Sequence, residues 1–316
     1  MRGTAVAVGV FDGVHLGHRE VIRLLVHEAM IRSLPSAVLT FDPHPRPHDV
    51  EGEGGLLLSP DERAALIRSL GVQWVTVLGF TPTVRAMTAD RFFRDVLLAM
   101  LGARVVIVGP THRFGAGGTG DANLLRHLGA ASSVDVVAAP EWRVDGAPAS
   151  SRRIRTHLAS GQVAEASRVL GRFYRLDGMV VRGSGIGREL GFPTANLEVV
   201  PNRLVPAHGV YACVAHLAEG DVPAVANVGV APTVHDESRG SRRIEVHLLD
   251  RDIALYGRRI GISFVFRVRE ERRFSGVDDL RRQIAIDVGR VRSVLGDRAD
   301  LGLGITPGNS DPSSLR

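Results

Sequence analysis

The chain has 316 residues, 44% hydrophobic and 23% charged, which predicts two domains with ordinary cores and excludes a wholly disordered protein. All 39 basic residues are arginine and are interspersed with 34 acidic residues. The net charge of +5 therefore indicates a mixed, solvated surface rather than a nucleic-acid partner. A single cysteine, Cys213, excludes an intrachain disulfide, and no apolar run is long enough for a signal peptide or membrane span. We expect a cytoplasmic protein without membrane contact. The sequence leaves open whether the chain forms a homo-oligomer.

The first half of the chain alternates short apolar strands with helical segments. Strands are predicted at residues 4–10, 37–41, 72–78, 103–108 and 134–138, and helices at 18–30, 61–70, 89–101 and 124–128. This alternation favours an α/β domain with a parallel sheet covered on both faces. A helical pair broken near Gly161 follows at residues 151–170. We place the end of this domain near Gly171, so that it covers residues 1–171.

The second half has a different pattern, in which short segments alternate with period two and are divided by Gly, Pro and Asn. Strands are predicted at residues 209–215, 224–228, 243–248 and 259–268, and an amphipathic helix at 277–289. Closely spaced strands with turn signals favour a small antiparallel β-barrel, here in residues 172–295 and closed by the C-terminal helix. Residues 296–316 are rich in Gly, Pro and Ser and are predicted to form a disordered tail.

A Gly-rich segment, GSGIGRELGFPTAN at residues 183–196, opens the barrel. Such a turn can present backbone N–H groups to phosphate oxygens because no Cβ blocks the approach, although Gly and Pro that merely form barrel turns give a similar pattern. Thr194 and Asn196 lie two residues apart, so in an extended segment they point the same way. Both can then reach one Mg²⁺–ATP complex.

This segment resembles the riboflavin kinases, as do five further segments in the same order: GVYACV (209–214), ANVGVAPT (226–233), IEVHLLD (244–250), LYG (255–257) and REERRF (269–274). The resemblance implies that the barrel transfers the γ-phosphate of ATP to the terminal ribityl hydroxyl of riboflavin, giving FMN. Glu245 would accept the hydroxyl proton, Thr194 and Asn196 would hold Mg²⁺, and Arg269 and Phe274 would lie near the flavin. The implied ATP and phosphate contacts are Gly183, Gly187, Arg188, Pro193, Thr194 and Asn196.

Two histidines, His15 and His18, stand where the first predicted strand turns into the first helix, in GVFDGVHLGH at residues 9–18. At a spacing of three, both can lie on one face of the first helical turn, where the helix dipole favours phosphate. Gly17 keeps that face open. A histidine pair is often only polar surface, but a pair between a buried strand and a helix has the context of a phosphate site.

This motif, together with TFDPHP at residues 40–45, resembles the N-terminal module of the bacterial bifunctional riboflavin kinase/FAD synthetases. The resemblance implies a Rossmann-like nucleotidyltransferase domain that transfers AMP from ATP to FMN and releases pyrophosphate. His15 and His18 would stabilise charge on the ATP phosphates. The other implied ATP-binding residues are Gly9, Phe11, Gly17, Ser151 and Arg155. The expected small-molecule partners of the chain are riboflavin, FMN and ATP, with Mg²⁺ as cofactor.

Two positions differ from the pattern of that family. Thr111, in GPTHRFG, stands where the family has an aspartate or asparagine, and Arg152, in SSRRIR, replaces a small hydroxyl-bearing residue. Losing one well-placed polar contact at a transition state costs about 10²–10³ in rate. The sequence therefore leaves two alternatives open. One is a riboflavin kinase whose nucleotidyltransferase domain is inactive or re-specialised, and the other is a flavin-binding regulator without catalysis.

Overall fold

The computed structural model describes residues 3–45, 55–183, 185–230, 242–251 and 253–295, and the predicted tail at 296–316 lies outside this part of the chain. The described residues form two compact units. One comprises residues 3–45 and 56–151, and the other comprises Gly55 and residues 152–295 with the gaps just given. The helical pair after Ser151 groups with the second unit, and the domain boundary near Gly171 stays a prediction.

The first unit is built on a parallel five-stranded sheet, which confirms the predicted α/β fold. Its strands are β1 (Thr4–Val8), β2 (Ser36–Asp42), β3 (Trp74–Gly79), β4 (Ala103–Val108) and β5 (Asp135–Ala138), in the order β3-β2-β1-β4-β5. Successive residues of β1 point to opposite faces. Val6 and Val8 pack into one core, whereas Ala5 and Ala7 pack into the other. Apolar side chains therefore cover both faces, as the continuously apolar strands predict.

Helices supply the rest of both cores in the first unit. They are α1 (Leu16–Ile31), α2 (Pro60–Ser69), α3 (Pro82–Arg85), α4 (Ala89–Arg91) and α5 (Ala122–Ala130). Thr88 caps α4, but the helix predicted over residues 89–101 continues as wider π-type turns over Phe92–Met100 rather than as a regular α-helix. A short antiparallel hairpin, β6 (Arg143–Val144) and β7 (Ala147–Pro148), precedes Ser151.

The second unit contains the predicted antiparallel barrel, and the barrel is closed. Its strands are β8 (Tyr174–Val181), β9 (Ala195–Val199), β10 (Gly209–Leu217), β11 (Gly220–Val230), β12 (Arg242–Leu248) and β13 (Arg259–Arg269). They follow the order β10-β11-β12-β9-β8-β13, and β13 pairs back to β10. Tyr211 and Phe264 meet edge to face inside, at 5.4 Å between ring centres, so side chains fill the interior.

Helices flank the barrel: α6 (Ser151–Ala159), α7 (Val163–Leu170), α8 (Ile186–Glu189) and α9 (Val277–Leu295). α7 ends at Gly171, whose φ of 67° is the left-handed conformation that glycine adopts without a Cβ penalty. α9 extends beyond the predicted residue 289 because Val291 and Leu295 continue its buried stripe against the barrel. In the part of the chain that the structure describes, no helix is both long and apolar enough to cross a membrane.

Cys213 occupies a buried position on β10, as its apolar neighbours predict. Burial strongly raises the pKa of its thiol. The thiolate is the nucleophilic form of cysteine, so this residue fills space in the barrel rather than reacting.

Candidate active sites

The loop between β1 and α1 carries the two predicted histidines. His15 is the N-cap of α1, and its Nδ1 accepts a hydrogen bond from the backbone N–H of His18 at 3.3 Å. A ring nitrogen that accepts a hydrogen bond carries no proton. In the neutral ring of His15, the proton is therefore on Nε2. The rings of His15 and His18 stack with 3.6 Å between their centres. The structure therefore brings the pair together at the N-terminus of a helix.

Close packing around this pair explains the small residues of the loop. Phe11 is buried, has a φ of 53° and meets the ring of His18 edge to face at 5.2 Å. A Cβ at Gly9 would approach the Phe11 ring to 3.0 Å, and a Cβ at Gly17 would approach the His15 ring to 3.2 Å. Larger residues at either position would displace these rings.

Asp12 is a structural residue that the sequence analysis missed. Its buried carboxylate accepts hydrogen bonds from the backbone N–H groups of Leu57 and Leu58, each at 3.1 Å. Its carbonyl oxygen accepts a hydrogen bond from the Oγ of Ser151 at 2.8 Å. The predicted phosphate ligand Ser151 is thus tied to the loop that carries the histidines. An acidic residue in the short loop between a buried strand and a helix is the signal that could have identified Asp12.

Three further residues singled out from the sequence belong to other segments of the chain. Arg155 belongs to the second unit, where its Nε donates a hydrogen bond to the carbonyl oxygen of Gly55 at 3.1 Å. Thr111 and Arg152 are both exposed. The contact of Arg155 with an ATP phosphate therefore stays a prediction.

His112 follows Thr111 in the segment after β4. Its ring lies nearly parallel to that of Phe114, with 5.8 Å between ring centres, and burial lowers its pKa to about 4. β1 and β4 are neighbours at the point where the strand order reverses, and ligands of open α/β sheets bind beyond the carboxyl ends of such strands. A neutral imidazole thus stands in the segment that follows one of these two strands.

In the barrel, Glu245 lies in the middle of β12 between two asparagines. It is paired in register with Asn196 of β9 on one side and with Asn227 of β11 on the other. Directly paired residues point to the same face with Cβ atoms about 5 Å apart. We define Asn196, Glu245 and Asn227 as the polar row. The neighbours of Glu245 on its own strand, Ile244 and Val246, point into the barrel and are fully buried.

Asn196 is the most buried member of the polar row. Its side-chain Oδ1 has no hydrogen-bond partner among the described residues. A Cβ at Gly183 would lie 1.9 Å from the Nδ2 of Asn196, and a Cβ at Gly187 would lie 2.8 Å from the Oγ1 of Thr194. The glycines of the Gly-rich segment therefore pass directly over the two predicted Mg²⁺ ligands.

The Gly-rich segment contains a short helix where the sequence predicted only a turn. α8 exposes Arg188, and the backbone N–H of Phe192 then donates to the carbonyl oxygen of Gly187 at 2.8 Å. The carbonyl oxygen of Pro193 accepts a hydrogen bond from the Nδ1 of His247 at 2.9 Å. The sequence analysis missed His247, although the period of two on β12 places it on the face of Glu245.

An arginine also accompanies Glu245 on β12. The Nε of Arg243 lies 3.6 Å from the Oε1 of Glu245, and both side chains are about one-third exposed (32% and 29%). An ion pair this exposed contributes only ~0–1 kcal/mol to stability. Its effect is to hold a cation beside the predicted base.

The predicted flavin contacts, Arg269 and Phe274, lie together. The guanidinium of Arg269 is 5.6 Å from the ring centre of Phe274, and its Nε donates to the buried carboxylate of Asp287 on α9 at 2.9 Å. Arg269 is paired across the sheet with Val210, which is paired in turn with Asn227. These residues therefore share one end of the barrel with the polar row.

Comparisons with known proteins match both units. Residues 1–153 match the FAD synthetase family, and residues 170–295 match the riboflavin kinase family. The bifunctional riboflavin kinase/FMN adenylyltransferases of Pseudomonas fluorescens and Escherichia coli strain K12 are each 36% identical to this chain, over 93% of both sequences. A Streptococcus pneumoniae crystal structure described as a macrolide-efflux protein is 30% identical, covers 92% of this chain and 95% of its own, and has a TM-score of 0.83.

The two units and their sites define an ATP-dependent transferase with a nucleotidyltransferase unit and a kinase barrel. The identity and coverage of the relatives then fix the family. The chain belongs to the bifunctional riboflavin kinase/FMN adenylyltransferases.

Proposed function

We propose that the barrel phosphorylates riboflavin to FMN and that the first unit transfers AMP from ATP to FMN, giving FAD. The two matched families and the activities in the names of the relatives support both reactions. For the kinase, the supporting observation is the polar row, which sets one carboxylate between two amides beside the Gly-rich segment. For the adenylyltransferase, it is the stacked histidine pair at the N-terminus of α1.

In the kinase reaction, the ribityl oxygen forms a bond to the γ-phosphorus of ATP while the bond to the bridging oxygen breaks and ADP leaves. Glu245 accepts the hydroxyl proton. Its carboxylate starts from a fixed position because Ile244 and Val246 anchor the strand in the barrel interior. Arg243 places a positive charge 3.6 Å from the Oε1 of this carboxylate.

The residues under the Gly-rich segment fit Mg²⁺. The ion prefers oxygen ligands, and the segment offers the buried Oδ1 of Asn196 and the Oγ1 of Thr194. These two side chains would hold Mg²⁺ together with ATP, where the ion supplies charge neutralisation at the phosphates. The backbone N–H groups at Gly183 and Gly187 and the guanidinium of Arg188 would contact the phosphate oxygens directly.

In the adenylyltransferase reaction, an FMN phosphate oxygen forms a bond to the α-phosphorus of ATP and pyrophosphate leaves. His15 donates a hydrogen bond to the ATP phosphates from Nε2, because its Nδ1 already accepts a hydrogen bond from the backbone N–H of His18. The ring of His18 adds a second donor, and the N-terminus of α1 adds its dipole. The Oγ of Ser151, held by the carbonyl oxygen of Asp12, lies at the same loop.

We further propose that the enzyme is cytoplasmic and acts on small molecules. A cytoplasmic location agrees with a single cysteine that is buried and has no partner for an intrachain disulfide. Evenly mixed charges agree with small-molecule substrates rather than nucleic acid. A homo-oligomer remains an expectation, which light scattering of the purified protein tests.

One assay tests both reactions. Purified protein is incubated with ATP and Mg²⁺ and with either riboflavin or FMN, and the flavins are resolved by chromatography. We expect FMN and then FAD from riboflavin, and FAD from FMN. Failure to form FMN would refute the kinase assignment, whereas FMN without FAD would refute the adenylyltransferase assignment.

A kinase with an inactive or re-specialised first unit is the second candidate, and Thr111 and Arg152 favour it. The double variant Thr111→Asn with Arg152→Thr restores residue types of the family pattern. A variant that forms FAD from FMN much faster than the wild type would support this candidate. Equal rates would show that neither substitution limits the reaction.

A further inference from the structure

We propose that His247 is a positioning residue of the kinase, which fixes the segment GFPTAN (residues 191–196) relative to Glu245. The inference rests on the proposed kinase function. His247 stands two residues after Glu245 on β12, so both side chains leave the strand on its outer face. Its Nδ1 lies 2.9 Å from the carbonyl oxygen of Pro193, within the segment that carries the predicted Mg²⁺ ligands. One strand therefore carries both the base and an anchor for the nucleotide segment.

The direction of this hydrogen bond is fixed by its chemistry. A carbonyl oxygen only accepts, so the Nδ1 of His247 donates. Phe192 packs edge to face on the imidazole, with 5.6 Å between ring centres and 82° between ring planes. The aromatic contact and the hydrogen bond thus orient the same ring, and both come from the segment that His247 holds.

The hydrogen bond from His247 is important because the residue that accepts it, Pro193, is a proline. Proline has no backbone N–H, so its carbonyl oxygen is the one polar backbone group through which residue 193 can be held. On one side, the N–H of Phe192 is bonded to Gly187. On the other side, pairing with β12 begins at Ala195. His247 acts between these two points.

Thr194 follows Pro193 directly and is the predicted ligand nearest to this anchor. Without the hydrogen bond, Thr194 gains freedom while Asn196 remains paired with Glu245 in the barrel. We therefore expect loss of His247 to weaken the productive binding of Mg²⁺–ATP and to lower kcat. The KM for riboflavin should change little, because Arg269 and Phe274 lie on other elements.

Three variants separate positioning from simple packing. His247→Asn keeps a donor near the position of Nδ1, His247→Gln moves the donor outward toward the position of Nε2, and His247→Ala removes it. Each is assayed for FMN formation against Mg²⁺–ATP and against riboflavin. Thermal melting and FAD formation from FMN by the same preparation report on folding.

The expected result is a loss of about ten-fold or more in kcat/KM for Mg²⁺–ATP with Ala and Gln, and recovery of most of it with Asn. The KM for riboflavin stays within error of the wild type. Equal activity of all three variants and the wild type would overturn the inference alone. So would an equal rise in both KM values without recovery by Asn, because that outcome indicates packing. A wild type that forms no FMN would overturn the proposed kinase function and the inference with it.

Discussion

Replacing Glu245 by glutamine tests the assignment of the kinase base. The change keeps the shape of the side chain and removes its ability to accept a proton at neutral pH. Ile244 and Val246 still anchor β12 in the barrel interior, and the partners of Glu245 in the polar row are neutral amides. We therefore expect Glu245→Gln to fold and to bind riboflavin and ATP as the wild type does, but to lose phosphorylation.

The magnitude follows from what the carboxylate contributes. A positioned general base contributes about 10²–10⁴ to a rate. This corresponds to about 3–5 kcal/mol of activation free energy. The substitution also breaks the contact with Arg243, but this ion pair is exposed enough to contribute only ~0–1 kcal/mol. Catalysis should thus fall far more than stability.

The assay measures FMN formation from riboflavin at saturating ATP and Mg²⁺, with binding followed separately by flavin fluorescence. Glu198→Gln is a matched control, because Glu198 is an exposed glutamate on the neighbouring strand β9. We expect Glu198→Gln to retain the wild-type rate. Turnover by Glu245→Gln at the rate of this control would show that another group accepts the proton.

Other substitutions probe the two sites separately. The double variant His15→Ala with His18→Ala should form FMN at the wild-type rate but no FAD, and a chromatogram that still contains FAD would contradict the role of the pair. Gly183→Ala should abolish FMN formation because its Cβ would lie 1.9 Å from Asn196, whereas Gly289→Ala, which meets no atom within 4 Å, should not. A Gly183→Ala enzyme of normal rate would mean that the loop can move away. His112 has a folded-state pKa of about 4 against 6.5 ordinarily, so the unfolded state binds more protons between these values and stability falls as pH falls. The melting temperature of His112→Phe should therefore fall less than that of the wild type between pH 7 and pH 5. An identical decrease in both proteins would refute the lowered pKa of His112.

The sequence predicts those features that depend on local periodicity. Alternating strands and helices led to the parallel sheet, and period-two segments led to the barrel. The histidine pair could be placed because strand, turn and helix N-terminus are contiguous in the chain. α9 was predicted too short, because its last turn is stabilised by contacts of Val291 and Leu295 with the barrel rather than by a local signal.

The contacts that complete each site depend on strand order, which the sequence does not reveal. Asn227 flanks Glu245 only because β11 pairs with β12, and Asn196 does so only because β9 closes on the other edge. His247 meets Pro193 for the same reason, across 54 residues of chain. The burial of the Asp12 carboxylate is explained by hydrogen bonds from backbone N–H groups that lie 45 and 46 residues further along the chain.

The register of β12 has a consequence for how this enzyme can evolve. Glu245 and His247 alternate with Ile244 and Val246 along one strand, so the same short stretch of sequence supplies both the predicted base and part of the barrel core. A one-residue insertion or deletion within β12 that shifted its register would exchange the two faces, placing a carboxylate in the core and isoleucine at the outer surface. A lineage can silence the kinase by point substitution and keep the barrel. A change in the length of this strand that shifted its register would disturb the barrel core and the predicted base together.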